Sequence, residues 1–247
     1  NDPYFTGLDF EKISGMPLHH KITRVNPMVK YNGIGGWGPK PTGVLSIRGE
    51  LYMAMQNLRL FKPPAHGTKC QHGSDAFIIR SKDKGRTWSY DEYAIWEIQR
   101  WAVMFPGYRF GGPAFIQFGK NYADAVDRYV YALSSEQWDN GSNYRLGRVP
   151  DDKIDQPKEW RWVSDVSDVA NPQWTADLKE AAPVLTLDRW LGTPECVYLP
   201  QFQRYLTLTW HFHEDMCNDK GSDLIILESP RPWGPFALVH FEEMWIS

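Results

Sequence analysis

The chain has 247 residues and a mass of 28.6 kDa, enough for one large domain or two small ones. Its 42% hydrophobic and 23% charged residues predict a packed core, and no apolar run approaches the length of a membrane span. The formal net charge of −3 argues against a nucleic-acid partner, which requires a basic surface. An aromatic fraction of 15%, with 20 Gly and 18 Pro, favours many short strands joined by turns.

Short apolar runs rich in Val, Ile, Tyr, Trp and Thr, each bounded by Gly, Pro, Asn or Asp, predict strands along the chain. A short helix is the alternative between Tyr90 and Met104, where the apolar spacing suits neither period. The predicted strands lie at about 42–47, 50–58, 75–80, 87–91, 113–118, 128–134, 143–149, 159–163, 194–199, 204–212, 222–228 and 235–241.

These strands form three groups of four that repeat the same landmarks. Each group starts with a Gly- or Pro-flanked strand and continues with a strand that has Tyr near its start, at Tyr52, Tyr129 and Tyr205. Four antiparallel strands per repeat predict an all-β fold of β-propeller type, whereas the alternative, a β-sandwich, predicts no such repeat. We expect one propeller domain over residues 1–247, with blades at about 41–91, 111–165 and 192–243. Residues 1–36 are then a partial blade or an N-terminal extension.

One turn carries a specific pattern. Residues 81–88 read Ser-Lys-Asp-Lys-Gly-Arg-Thr-Trp, which fits the Asp box of sialidases and related propellers. In such a turn an Asx-type carboxylate binds backbone N–H groups and Gly supplies a positive φ. We therefore expect Asp83 to be structural and not catalytic.

The last predicted strands resemble a known family. The run from Glu228 to Phe236, Glu-Ser-Pro-Arg-Pro-Trp-Gly-Pro-Phe, is similar to the last blades of five-bladed propeller glycosidase-like proteins, and the DUF4185-type group is the family proposed. The hairpins at 43–52 and 192–206 resemble the same group. The resemblance implies five blades, more than this chain supplies, and no residue here matches the family's first-blade carboxylate. It also implies a secreted protein that acts on a polysaccharide or oligosaccharide.

In a propeller, the starts of the innermost strands and the ends of the second strands meet at one mouth of the central channel. That rule predicts a site of carboxylates, amides, Arg and aromatic faces, the residue types that recognise sugars. The predicted substrate-binding residues are Lys40, Asn57, Arg59, Arg109, Trp138, Trp210, His211 and His213.

Glycoside hydrolysis requires two carboxyl groups, one of them with a raised pKa. Glu195 is the predicted acid, because it lies on an inner strand among Pro194 and Cys196. Glu136 or Asp139 is the predicted second carboxylate. The alternative is that Glu195 bonds a neighbouring strand or an Arg, and the chain is then a non-catalytic carbohydrate-binding, structural or assembly propeller.

No resident cofactor is predicted. His211 and His213 lie on one face of a strand, where they could hold a divalent metal, bind sugar hydroxyls or pack. Structural calcium is a further alternative at Asp124–Asp127 or Asp151–Asp155, although neither follows the calcium-loop pattern. The sequence leaves the oligomeric state and the thiol state of its three cysteines open.

Overall fold

A computed structural model describes residues 10–14, 21–25, 37–60, 71–89, 103–139, 141–213 and 221–246. Side chains are described from residue 40 onward, except those of 58–60 and 71–74. The secondary structure of these residues is strands joined by turns and short 3-10 segments.

The first part of the chain forms a hairpin and a four-stranded antiparallel sheet. Strands β1 and β2 pair with each other, with Phe10 opposite Val25. In the sheet, β3 pairs with β4, β4 with β5, and β5 with the short β6. The strands are β1 (Phe10–Ser14), β2 (Lys21–Val25), β3 (Trp37–Ile47), β4 (Glu50–Leu60), β5 (Gln71–Ser81) and β6 (Phe105–Pro106).

Two further antiparallel groups follow. In the second, β7 to β11 pair in sequence and β12 returns to pair with β9; in the third, β13 to β16 pair in sequence. The strands of the second group are β7 (Gly112–Gln117), β8 (Tyr129–Ser135), β9 (Gly141–Pro150), β10 (Arg161–Asp165), β11 (Gln173–Thr175) and β12 (Leu185–Leu191). Those of the third are β13 (Glu195–Leu199), β14 (Arg204–Phe212), β15 (Ser222–Ser229) and β16 (Ala237–Ile246).

The first strands of the three groups lie side by side. β13 runs parallel to β7, with Cys196 opposite Ile116. The Gln117 Nε2 donates to the carbonyl oxygen of Val44 at 2.9 Å, which places β3 against β7. Antiparallel sheets of four or more strands whose first strands meet in this way are blades around an axis. The prediction of an all-β propeller with four-stranded blades is confirmed.

Aromatic side chains fill the space between neighbouring blades. Phe105 of β6 makes an edge contact with Trp160, beside β10, at 5.1 Å between centroids. Phe118, after β7, lies 5.4 Å from Tyr198 on β13. Twisted sheets leave a wedge between them, and bulky rings fill such a wedge in edge-to-face contacts. The high aromatic content is therefore explained in large part by the core.

The third blade differs in burial between its two faces. Along β14 and β15, buried residues such as Thr207 and Ile225 alternate with half-exposed residues such as Leu208 and Ile226. The buried face packs toward the second blade, and the last strand, β16, is exposed along its whole length. The side chains of β13 and β14 that reach the mouth on the half-exposed face are therefore accessible.

The structure follows most predicted strands within a few residues. The exception is the fourth strand of the first blade, predicted at 87–91: residues 87–89 belong to a turn, and the fourth strand is β6. The strands β11 and β12 were not predicted: β11 has only three residues, and in β12 the alternation of Leu185 and Leu187 ends before Arg189, whose φ is +62°. The helix alternative falls mainly on residues outside the described set.

The turn at 81–89 is held by Asp83. Its Oδ1 accepts the Thr87 backbone N–H at 2.8 Å, and its Oδ2 accepts the Thr87 hydroxyl at 2.7 Å. These hydrogen bonds favour the carboxylate, so the pKa of Asp83 falls to about 2. Gly85 has a φ of +86°, which a side chain would strain. Asp83 is engaged within its own turn.

Candidate functional site at the mouth of the propeller

Side chains from all three blades meet at one end of the inner strands. The Lys40 ammonium nitrogen, on β3, lies 5.6 Å from the ring centroid of Trp138, which follows β8. The Trp138 ring lies 5.5 Å from Trp210 and 5.9 Å from Phe212, both on β14. We call Trp138, Trp210 and Phe212 the aromatic cluster. Lys40, Trp138 and Trp210 were predicted to lie together here, whereas Phe212 was not predicted.

Backbone hydrogen bonds hold the aromatic cluster in place. The carbonyl oxygen of Trp138 accepts the backbone N–H of Thr193 at 3.0 Å, just before β13. The Tyr144 hydroxyl donates to the carbonyl oxygen of Gly192 at 2.8 Å. A Cβ at Gly192 would collide with the backbone oxygen of Trp210, so only glycine permits this close approach. The loop after β8 is thereby fixed against β13 and β14.

Glu195 lies at the start of β13, next to the aromatic cluster. It pairs across the ladder with Leu208 and therefore shares a sheet face with Leu208 and Trp210. The neighbouring Cys196 points to the opposite face and is buried. Although the Glu195 side chain reaches solvent, partial burial of its carboxyl group raises its pKa above the ordinary value. A carboxyl group with a raised pKa can carry a proton at higher pH than usual.

Glu136, also at the mouth end, has a different environment. The Arg145 Nη1 lies 2.6 Å from Glu136 Oε1, and the Asn143 Nδ2 donates to Oε2 at 3.0 Å. The Arg145 side chain is only 6% exposed, and its Nε donates to the carbonyl oxygen of Ala181. Both carboxylate oxygens of Glu136 are therefore engaged within the β8–β9 hairpin. Asp139, the other predicted second carboxylate, is completely buried.

The remaining polar residues of the mouth are contributed by β3 and β4. Partial burial lowers the pKa of Lys40, since a charged ammonium loses hydration there. Asn57 donates from Nδ2 to Asp75. The Gln56 Oε1 is buried and accepts no hydrogen bond from the described part of the chain.

Two predicted arginines are not placed at the mouth by the described side chains. Arg59 lies on β4, but its side chain is outside the described set. Arg109 is farther along the second blade, with its Nη1 3.5 Å from the Ala181 carbonyl oxygen.

His211 on β14 and His213, directly after that strand, flank Phe212 and share a partner that the sequence did not reveal. The Asp223 carboxylate, buried on β15, lies 3.3 Å from His211 Nε2 and 2.9 Å from His213 Nδ1. His211 is itself buried and its ring lies against Trp190 at 4.7 Å. Register is the signal that could have found Asp223, because it stands opposite His211 in the β14–β15 ladder.

The metal alternatives receive no support within the described ranges. No group of three or more His, Cys, Asp or Glu side chains is arranged there to hold a metal ion. Asp127 accepts the Tyr131 hydroxyl, and Asp151 pairs with Arg48 and Arg128. Nor does any helix in the described residues have the length and apolarity to cross a membrane.

Solved structures of glycoside hydrolases resemble this chain at low identity. A family 117 glycoside hydrolase of Zobellia galactanivorans is 11% identical, with a TM-score of 0.46, over 94% of this chain and 61% of its own. A family 43 arabinoxylan arabinofuranohydrolase of Bacillus subtilis is 15% identical, with a TM-score of 0.32, over 83% and 52%. A Bacteroides ovatus protein is matched at 12% identity and a TM-score of 0.46, over 85% and 46%. This chain thus spans about half of their lengths.

No curated protein matches the sequence. One family model does, and it covers residues 6–216, which is most of the chain and includes the first two blades, the aromatic cluster and Glu195. The family is described as a domain of unknown function, so the match assigns no activity. The chain belongs to the DUF4185 family.

Proposed function

We propose that this chain binds a polysaccharide or oligosaccharide at the mouth, on the aromatic cluster. The observation that carries the proposal is the contact series from Lys40 to Trp138 to Trp210, with Glu195 on the same sheet face as Trp210. Aromatic faces bind the C–H surfaces of sugar rings, while charged and amide groups bind hydroxyls. Here the two kinds of group adjoin each other.

The polar groups around the cluster suit a sugar better than an apolar ligand. Lys40 supplies a donor beside the Trp138 ring, and the Gln56 Oε1, unpaired within the described residues, is a buried acceptor on the neighbouring β4. Buried polar atoms usually have a hydrogen-bond partner, so an acceptor of this kind is suited to a hydroxyl of a bound sugar. A purely apolar ligand would leave the Gln56 Oε1 without a hydrogen bond.

A direct test is electrophoresis in gels that contain arabinan or xylan. We expect either polysaccharide to retard the wild-type chain, and Trp138→Ala to abolish the retardation, because the ring that joins Lys40 to β14 is removed. The matched control is Phe202→Ala: this aromatic ring is 65% exposed in the turn after β13, at the opposite end of the third blade. Equal retardation of wild type and Trp138→Ala would contradict the proposal.

Glycoside hydrolysis is the second candidate function, and the raised pKa of Glu195 favours it. In glycoside hydrolysis, a carboxyl group with a raised pKa donates a proton to the leaving oxygen, while a second carboxylate acts as base or nucleophile. Glu136 and Asp139 remain the predicted second carboxylate.

The test of hydrolysis is product release from arabinan or xylan by wild type and Glu195→Gln. Glu228→Gln is a matched control, since Glu228 lies on the same face of the same blade, opposite Leu206 and toward the other end. We expect Glu195→Gln to lose activity and retain binding. Release that continues in Glu195→Gln would exclude it as the acid, without affecting the binding proposal.

A further inference from the structure

One buried polar side chain at the mouth has an acceptor without a donor. Gln56 on β4 is 4% exposed, and its Oε1 accepts no hydrogen bond from the residues that the structure describes. Gln56 stands directly opposite Lys40 in the β3–β4 ladder, so the two side chains share a sheet face. The Lys40 ammonium nitrogen lies 5.6 Å from the centroid of the Trp138 ring in the aromatic cluster. The unpaired acceptor therefore lies next to the proposed sugar site.

The Gln56 oxygen also faces the second blade. A Cβ at Gly112, the first residue of β7, would lie 3.4 Å from Gln56 Oε1 and 3.5 Å from the Ser135 hydroxyl oxygen. Ser135 stands opposite Gly112 and ends β8, the strand that leads into Trp138. Gln56 Oε1 thus lies between the first and second blades, at the end where the aromatic cluster is.

Three neighbouring donors are engaged elsewhere. The Gly112 backbone N–H donates to Ser134 Oγ at 3.0 Å, and the Ser134 hydroxyl donates to the carbonyl oxygen of Ser135 at 3.0 Å. The Ser135 hydroxyl donates to the carbonyl oxygen of Gln137. Because a hydroxyl has a single proton to donate, neither serine can serve Gln56 as well. An enclosed acceptor of this kind destabilises the ligand-free chain, since it has lost its hydration and gained no partner.

We propose that Gln56 is a specificity-determining residue of the mouth, which accepts a hydrogen bond from one free hydroxyl of the bound sugar. The inference rests on the proposed function, because its ligand is the sugar on the aromatic cluster. The terminal torsion of a glutamine is soft, so the amide can turn its oxygen toward the ligand. A site built to bind a hydroxyl rejects an analogue that lacks it, because the buried polar group is then left unpaired. Sugars that are deoxygenated, methylated or acetylated at that position are therefore rejected.

The first experiment compares wild type with Gln56→Met in arabinan and xylan gels. Methionine is unbranched and as long as glutamine, so the substitution removes the amide with little change of shape. We expect the dissociation constant to rise by about tenfold or more, since the buried sugar hydroxyl loses its acceptor. Gln117→Met is the matched control and should bind as wild type. Gln117 ends the strand that Gly112 begins, and its Nε2 donates to the carbonyl oxygens of Val44 and Phe115.

The second experiment identifies the hydroxyl by competition in the same gels. The competitors are methyl xyloside or methyl arabinofuranoside, matching the polysaccharide that retards wild type, and each of its monodeoxy derivatives. We expect one derivative to compete about tenfold less well than the parent sugar against wild type, and as well as the parent against Gln56→Met. Such non-additivity shows that the amide and the hydroxyl contact each other. Losses that add for every derivative would overturn the inference.

Thermal unfolding without carbohydrate gives a readout that a purely structural role of Gln56 would reverse. Gln56→Met removes an unpaired buried acceptor, so we expect its melting temperature to rise by about 2–4 °C. Gln117→Met removes two hydrogen bonds and should lower the melting temperature.

A Gln56→Met variant that melts below wild type, or that binds with wild-type affinity, would overturn the inference and leave carbohydrate binding intact. A wild type retarded by neither polysaccharide would overturn the proposed function, whereas the melting temperatures still show whether the Gln56 acceptor is unpaired.

Discussion

The end of β8 and the start of β13 both contribute a glutamate to the mouth end of the propeller, but the two glutamates have different environments. Glu136 is enclosed by Arg145 and Asn143, which engage both of its oxygens. Glu195 shares a face with Leu208 and Trp210, and partial burial raises its pKa. The same residue type is therefore held by a cation and an amide in one place and is a candidate acid in the other.

The comparison shows that the position of a carboxylate at a mouth does not define its chemistry. A largely buried ion pair couples two strands and is costly to break, because the remaining partner is left without compensation. A carboxyl group beside apolar side chains holds its proton more tightly and is suited to proton transfer. Two substitutions separate these two cases, and a third tests a carboxylate that lies far from the mouth.

Loss of Arg145 should have the largest effect. Arg145→Ala leaves Glu136 without its cation and removes a hydrogen bond to Ala181, so we expect the free energy of unfolding to fall by about 3–5 kcal/mol. Chemical denaturation measures this change. Arg128→Ala is the control, since Arg128 is 81% exposed in its pair with Asp151 and should cost less than about 1 kcal/mol. Equal losses in both variants would show that burial does not distinguish the pairs.

Removal of the charge on Glu195 should change the free energy of unfolding less than loss of Arg145, and the change should stabilise the folded chain as pH rises. A raised pKa in the folded state means that folding favours the protonated form of Glu195. Its contribution to the free energy of unfolding is therefore fully present below the pKa of the unfolded chain and is lost as pH rises through the pKa of the folded state. Glu195→Gln should therefore gain stability relative to wild type as pH rises above about 4, the ordinary range of a glutamate. Thermal unfolding across that range measures the difference. If the stability gained by Glu195→Gln became smaller as pH rises, desolvation of the Glu195 carboxyl group would be excluded.

The smallest effect is expected at Asp83, far from the mouth on an exposed turn. The pKa of Asp83 is lowered to about 2, so the ionised carboxylate stabilises the folded chain at pH values above the ordinary Asp range. This stabilisation is lost as pH falls toward about 2. Asp83→Asn should lower the melting temperature slightly near neutral pH and make no difference at the acid end. A variant as stable as wild type at neutral pH would show that the hydrogen bonds to Thr87 contribute nothing.

Strand positions in this chain could be read from local pattern. Alternation and turn residues located β14 and β15 within a few residues, because one face of each strand is buried and side chains alternate with period two. The position of β6 could not be read in this way, since two residues carry no periodicity. Its place in the sheet is set by pairing with Asp75 and Ala76 on β5.

The sequence by itself determined the all-β propeller class, because that class follows from a repeat of strands and turns; the list of mouth residues stays a prediction. Only the tertiary structure decided which of those residues act together. Lys40, Trp138 and Trp210 meet across blades that are distant in the chain, and Asp223 lies behind them through strand register. Charge pairing and desolvation depend on distances between blades, and such distances are absent from a local pattern.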